Sequence, residues 1–200
     1  MAVTNGYCTL TELKKRTGHD LGDAGEDAIL ESVINAVSRL IDRYTGRRFY
    51  TTDADETRYY TAEERDYLSP GDDILSITAL YTDHDGDRVY EYTWAATDYD
   101  LCPANAALDG KPYTWLETAP GGDYVFPATA RGVKIVGKFG YATTTPPDVK
   151  EACLLQCHRI FKRKDAPFGV LGSDALGQVV VLTKLDPDVQ LLLSGVTRYT

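Results

Sequence analysis

Two amphipathic helices with a block of short strands between them constrain this chain more than any other feature. The first helix is written over Ala24 to Tyr44, where Ile29, Val33, Ile34, Val37, Leu40, Ile41 and Tyr44 recur at three- and four-residue spacing. Glu31, Ser32, Asn35, Arg39, Asp42 and Arg43 fall largely on its other faces. Gly46 then offers the left-handed residue that commonly closes a helix. The second helix is expected from Pro146 to Lys164, opened by a proline suited to the first turn and carrying Val149, Ala152, Cys153, Leu155, Ile160 and Phe161. The two apolar stripes are expected to meet, with Val37 and Leu40 buried against the later helix.

Between them the pattern changes period. Thr57 to Thr61, Ile74 to Tyr81, Arg88 to Trp94, Tyr113 to Glu117 and Gly132 to Tyr141 are rich in Thr, Tyr, Val and Ile, with turn residues at their ends. Asp83-His84-Asp85-Gly86-Asp87 reads as a hairpin turn. At the N-terminus, Thr9 and Glu12 have capping-box spacing and predict a short helix ending at Gly18. Beyond the later helix, Ala166 to Gly172 cannot continue it, because Pro and Gly interrupt the run. The tail holds an apolar stretch, Gln178 to Leu182, and a final short helix with Asp186 as N-cap, Pro187 at the first position, and Val189, Leu191, Leu192 and Leu193 behind them.

These segments predict an α+β chain: a helical bundle of three main helices plus a short C-terminal helix, with an inserted antiparallel β-rich region and an extended C-terminal arm. The expected division is 1–54 for the N-terminal helices, 55–142 for the β-rich region, 143–165 for the third helix and 166–200 for the arm.

Composition narrows the function classes. With 43% hydrophobic and 26% charged residues the chain can bury a true core. It holds no apolar run long enough to span a membrane, and residues 1–6 lack the features of a signal peptide, so a cytosolic product with no membrane role is expected. A net charge of −9 argues against a protein that grips nucleic-acid phosphates, although a ring lined with carboxylates would let DNA slide through. Cys8, Cys102, Cys153 and Cys157 form no CxxC motif, and buried free thiols are expected.

No motif carries catalytic chemistry. Asp83, Asp85 and Asp87 imitate the start of a calcium loop, but Trp94 stands where the bidentate carboxylate belongs. Gly169 to Ser173 and Gly137 to Gly140 lack the full phosphate-loop spacing. His19, His84 and His158 are far apart, with neither GxSxG nor HExxH to accompany them. No catalytic, cofactor or metal residue is therefore assigned. Arg159, Lys162, Arg163 and Lys164 close the later helix, where cations suit the helix dipole; together with Arg47 and Arg48 they also suit contact with an acidic partner or with passing DNA.

Three segments, Tyr7 to Lys14, Ile41 to Phe49, and Pro147 to Lys150 running on to Arg159-Ile160-Phe161-Lys162-Arg163, resemble the head–tail connector, or adaptor, proteins of long-tailed bacteriophages. The order helix, helix, insertion, helix, tail agrees with that family. The resemblance implies a structural, non-enzymatic role in a virion: a homo-oligomeric ring of twelve subunits beneath the portal protein at the capsid vertex. Such a ring extends the channel for double-stranded DNA and offers a surface to a stopper or tail-completion protein. It also implies that the C-terminal segment docks on the portal, with Phe168, Val179, Val180, Val181, Leu182, Leu191, Leu192 and Tyr199 as its expected apolar contacts. If such a ring forms, the net charge makes its channel acidic or mixed and the six basic residues are expected mainly at contacts between proteins. Two other classes stay open: a sugar- or metal-binding β module, from the Tyr/Trp-rich strands and the Asp83 turn, and an enzyme whose site converges only in space.

Overall fold

Thr9 and Glu12 form the expected capping box in the computed structural model, which describes residues 2–163 and 185–198. The Thr9 hydroxyl accepts from the Glu12 amide at 3.2 Å, and the Glu12 carboxylate accepts from the Thr9 amide at 2.8 Å. Helix α1 (Leu10–Thr17) therefore begins with both exposed donors satisfied and ends at Gly18. Lys14, buried on α1, donates to the Asp23 carbonyl at 2.6 Å and pairs with Asp27, fixing the turn into α2 (Asp27–Thr45). Two further helices, α3 (Pro147–Lys162) and α4 (Pro187–Ser194), complete this part of the chain.

The chain divides into two compact units, Met1–Gly46 with Thr145–Thr200, and Arg47–Thr144. In the first, α2 packs on α3, α3 on α4, and α1 on both α2 and α3. The buried seam of α2 is Leu30, Ile34, Val37, Ser38, Ile41 and Thr45, a regular three-and-four spacing. It is narrower than the apolar stripe in the sequence: Ile29 is half exposed (50%), Tyr44 is exposed, and Val33 and Leu40 are only partly buried. The reason is angular, because each step along a helix turns the side chain by about 100°. Ile29 and Leu40, one residue from the seam at Leu30 and Ile41, are thereby rotated to its flank. On α3 the same correction moves the core from Leu155 and Ile160, which are half-buried, to Leu154 and Cys157 beside Val149, Ala152, Cys153 and Phe161.

The second unit is built of antiparallel strands: β1 (Glu56–Tyr60), β2 (Tyr67–Leu68), β3 (Ile74–Thr82), β4 (Tyr92–Trp94), β5 (Tyr99–Cys102), β6 (Trp115–Thr118) and β7 (Val133–Phe139). They form a four-stranded sheet in the order β1-β7-β3-β4 and a three-stranded sheet in the order β2-β6-β5. Along β7, Val133, Ile135, Gly137 and Phe139 alternate into the core, the period-two pattern of a strand buried on one face. Leu68, Ile74, Leu80, Trp94, Leu116 and Phe126 join them. Trp94 stacks on Phe126 with centroids 4.7 Å apart, and its indole N–H donates to the Thr82 hydroxyl at 3.0 Å, so the buried polar atom is satisfied.

The strand expected over Arg88 to Trp94 is confined to its last three residues. Asp83 and Asp87 take the preceding backbone into side-chain-bonded turns: Asp83 accepts from the amides of Gly86 (2.7 Å) and Arg88 (2.9 Å), and Asp87 from that of Val89 (2.7 Å). β2 and β5 were not expected, since two and four residues are too few to display a period. The whole is a mixed structure of helices and antiparallel sheets.

Candidate functional site

The six basic residues singled out in the sequence have different surroundings. Arg47 Nη1 lies 2.5 Å from Asp73 Oδ1, and its guanidinium sits over the Tyr141 ring at 5.4 Å. Arg48 Nη2 donates to Glu56 Oε1 at 2.7 Å and to the Phe139 carbonyl at 2.6 Å, with the Tyr50 ring 5.0 Å beneath it. Both arginines are engaged inside the strand-rich unit, where a planar guanidinium can bond and stack at once. Glu56 also binds Arg58 Nη2 at 2.6 Å, and Arg58 continues to Asp72 at 2.7 Å. Burial alone would raise the Glu56 carboxyl, but Arg48 and Arg58 outweigh it and hold the group down at about 2.

At the end of α3, Lys162 and Arg163 are exposed, whereas Arg159 is largely buried and donates to Asp186 Oδ2 at 2.9 Å. Lys164 lies outside the described residues, as do Phe168, Val179, Val180, Val181, Leu182 and Tyr199 of the expected arm. The end of that segment is described and is packed on its own unit. Asp186 caps α4 by accepting from the Asp188 amide at 3.0 Å, and Val189 and Leu193 are fully buried. Arg198 N–H donates to the Thr45 carbonyl at 2.8 Å, satisfying an end group of α2. Leu192 is half-buried, and Leu191 stands 75% exposed on the outer side of α4.

The Asp83, Asp85 and Asp87 carboxylates lie within 4.8 Å of one another. Asp83, however, is buried with both oxygens taken by backbone amides, which outweigh its desolvation and hold it below the usual carboxylate range. Among the described residues no grouping of possible metal ligands includes a histidine. His19 bonds Glu26 and Thr17, each at 2.8 Å, and packs edge-on to Phe161; His84 packs on Tyr92 in the other unit. His158 is held below the ordinary imidazole value by desolvation and by the charges of Lys162 and Arg16.

One grouping the sequence reading missed is that of Cys8 with Cys153 and Cys157. All three are buried, and nothing in the spacing of Cys8 from the other two could have paired them. No described helix is long and apolar enough to cross a membrane.

No protein-family model matches the chain, and no curated protein matches it by sequence. Solved structures do. A chain from the virion of a native gene transfer agent (GTA) particle is similar with a TM-score of 0.61 at 20% identity, over 100% of this chain and 94% of that one. A chain from the neck of an empty GTA particle computed with C6 symmetry gives a TM-score of 0.60 at 18% identity, again over 100% and 94%. A chain from the neck of a native GTA particle computed with C12 symmetry gives 0.58 at 18%, over 100% and 93%. At these identities the likeness shows a shared fold.

Proposed function

We propose that this protein is a structural component of the neck of a tailed phage or phage-like particle, a head–tail connector that assembles as a homo-oligomeric ring. The observation that carries the reading is the end-to-end likeness to chains from GTA necks and virions, which spans all of this chain and over nine-tenths of each neighbour. A fold shared over only one unit would leave the other unexplained. In this reading the helical unit is a bundle into which the strand-rich unit is inserted, and the ring sits on the portal protein. It extends the channel through which double-stranded DNA passes and presents a surface to a stopper or tail-completion protein. A twelve-subunit ring agrees with the adaptor-like motifs and with the twelve-fold symmetry used for one neighbouring neck.

The acidic balance of the chain supports a passive conduit, because a channel that neutralised many phosphates would hold DNA instead of passing it. Leu191 and the apolar residues upstream of it supply contacts for a portal-docking segment, and Lys162 and Arg163 supply cations at the end of α3. The test is native mass spectrometry of the full chain alone and mixed with the portal protein of the same particle. The expected result is a multimer stoichiometric with the portal ring. A chain that remains monomeric and passes through unaltered in the presence of portal would overturn the assignment.

A further inference from the structure

Cys8 reaches α3 because the segment ahead of α1 is pressed onto α2. Gly6 permits that approach, since a Cβ there would lie 2.4 Å from Val3 Cγ1 and 2.9 Å from Ile34 Cγ2. The Tyr7 amide donates to Ser38 Oγ at 3.1 Å, the Tyr7 hydroxyl bonds Asp42, and the Arg39 guanidinium covers the ring at 5.6 Å. Cys153 and Cys157, one turn apart on α3, face the same point. The Cys8 and Cys153 sulfurs are 3.6 Å apart, those of Cys153 and Cys157 are 3.8 Å apart, and all three lie within 4.8 Å of one another.

These separations suit more than thiol packing. With Zn–S bonds of about 2.3 Å, ligand sulfurs at the corners of a tetrahedron stand about 3.8 Å apart. Two of the three sulfur edges are already at that length, before any ion draws them in. Ser38 Oγ lies 3.8 Å from the Cys153 sulfur, beside the cluster, and its hydroxyl accepts from the Tyr7 amide and donates to the Ile34 carbonyl at 2.8 Å. Among the described residues no carboxylate or imidazole joins the cluster, so its donors are three sulfurs and at most one hydroxyl. Such a set discriminates against hard cations and favours thiophilic ones.

We infer that Cys8, Cys153 and Cys157 form a binding site for one thiophilic d10 cation of the zinc and cadmium class, with Ser38 in support. Each coordinating thiol gives up its proton to solvent, so loading releases up to three protons per ion and involves no change of oxidation state. The ion ties the N-terminal segment to α3, two parts of the chain joined otherwise by non-covalent contacts. The inference stands apart from the ring reading, since it concerns the interior of a single helical unit.

The test is titration of the reduced, chelator-treated full chain with cadmium, followed by sulfur-to-cadmium charge-transfer absorption in the ultraviolet. Saturation at one equivalent is expected, with Cys8→Ser and Cys153→Ser each weakening binding by at least about 100-fold, beyond the loss typical of supporting residues. Ser38→Ala is expected to weaken it by about 10-fold, and Cys102→Ser, in the other unit, to leave it unchanged. A readout without variants is the rate of alkylation in urea just below the unfolding transition, where the buried thiols become reactive, mapped by mass spectrometry: cadmium should slow modification of Cys8, Cys153 and Cys157 and leave the Cys102 rate unchanged. An unchanged ultraviolet spectrum with thiols confirmed free, a disulfide within the triad, or shielding of Cys102 alone would overturn the site.

Discussion

Asp186 is the residue through which the C-terminal helix is fastened, and replacing it isolates two contributions that the structure allows to be weighed. The first is the cap: Asp186 accepts from the Asp188 amide at 3.0 Å, and losing a side-chain N-cap costs about 1 kcal/mol. The second is the ion pair with Arg159 at 2.9 Å, with side chains 13% and 33% exposed for Arg159 and Asp186. That is wetter than a buried pair and drier than a surface one, so a coupling of about 1 kcal/mol is expected. Asp186→Ala should therefore weaken the docking of α4 by about 2 kcal/mol, or roughly 30-fold in the equilibrium. With only eight residues, α4 cannot persist as a helix once undocked, so undocking is read directly by amide hydrogen exchange. Peptides covering 185–198 should exchange about 30-fold faster, while those from β3 and β7 keep their rates. Arg159→Met retains the cap and removes the pair, and the double-mutant cycle should return about 1 kcal/mol of coupling. Unchanged exchange in α4, equal acceleration in the strand-rich unit, or zero coupling would show that this clamp does not hold the segment.

Further outcomes follow from the same contacts. Ile41→Ala should cost about 2–5 kcal/mol in urea unfolding, the range for a fully buried isoleucine, and Leu40→Ala distinctly less, because Leu40 lies beside the seam. The Glu56 carboxyl titrates lower folded than unfolded, so it stabilises the protein at neutral pH. That stability, about 1 kcal/mol after solvent screening, is lost as pH falls from about 4.3 toward about 2, and Glu56→Gln should flatten acid unfolding across that window. Calcium should leave Trp94 fluorescence unchanged, since the amides of Gly86 and Arg88 already occupy the Asp83 oxygens. Lys162→Glu with Arg163→Glu should impair assembly with portal while leaving duplex affinity in gel shifts nearly unaltered; submicromolar DNA binding that depends on the two residues would place them on the DNA path.

Elements whose signal is local were legible in the sequence. The Thr9–Glu12 box, the Gly18 stop and the Asp186-Pro187 opening of α4 rest on bonds between near neighbours, the Gly46 stop on a left-handed backbone, and each stands where the residues place it. The α2 stripe was legible only in outline, because an apolar run broader than one contact face does not say which residues win the seam; that choice is made by α3, more than a hundred positions away. β2 and β5 are defined by pairing with β6 and carry no periodicity of their own. The partners of Arg47 and Arg48 were not legible for a related reason. Proximity of Arg47 and Arg48 in sequence says nothing about Asp73, Glu56 or the two tyrosines that engage them.

The internal use of those arginines bears on how a chain of this charge could line a DNA channel. An ion pair consumes one cation and one carboxylate, so Arg47 with Asp73, Arg48 with Glu56 and Arg159 with Asp186 leave the net charge of −9 for the remaining groups to express. Copies assembled in a ring would multiply that excess, and the resulting field repels phosphates at distances up to a Debye length, about 8 Å at physiological salt. Attraction to DNA then has to be local, and of the basic residues singled out in the sequence only Lys162 and Arg163 are described as exposed. Lys162 closes the last turn of α3 and Arg163 is its C-cap residue, where the helix dipole already favours cations, which lowers the cost of keeping two like charges side by side. A short positive edge on an acidic body is suited to registering one protein against another, because complementary charge at a rim sets orientation and on-rate more than affinity. It is poorly suited to gripping a duplex, which needs many phosphates neutralised at once.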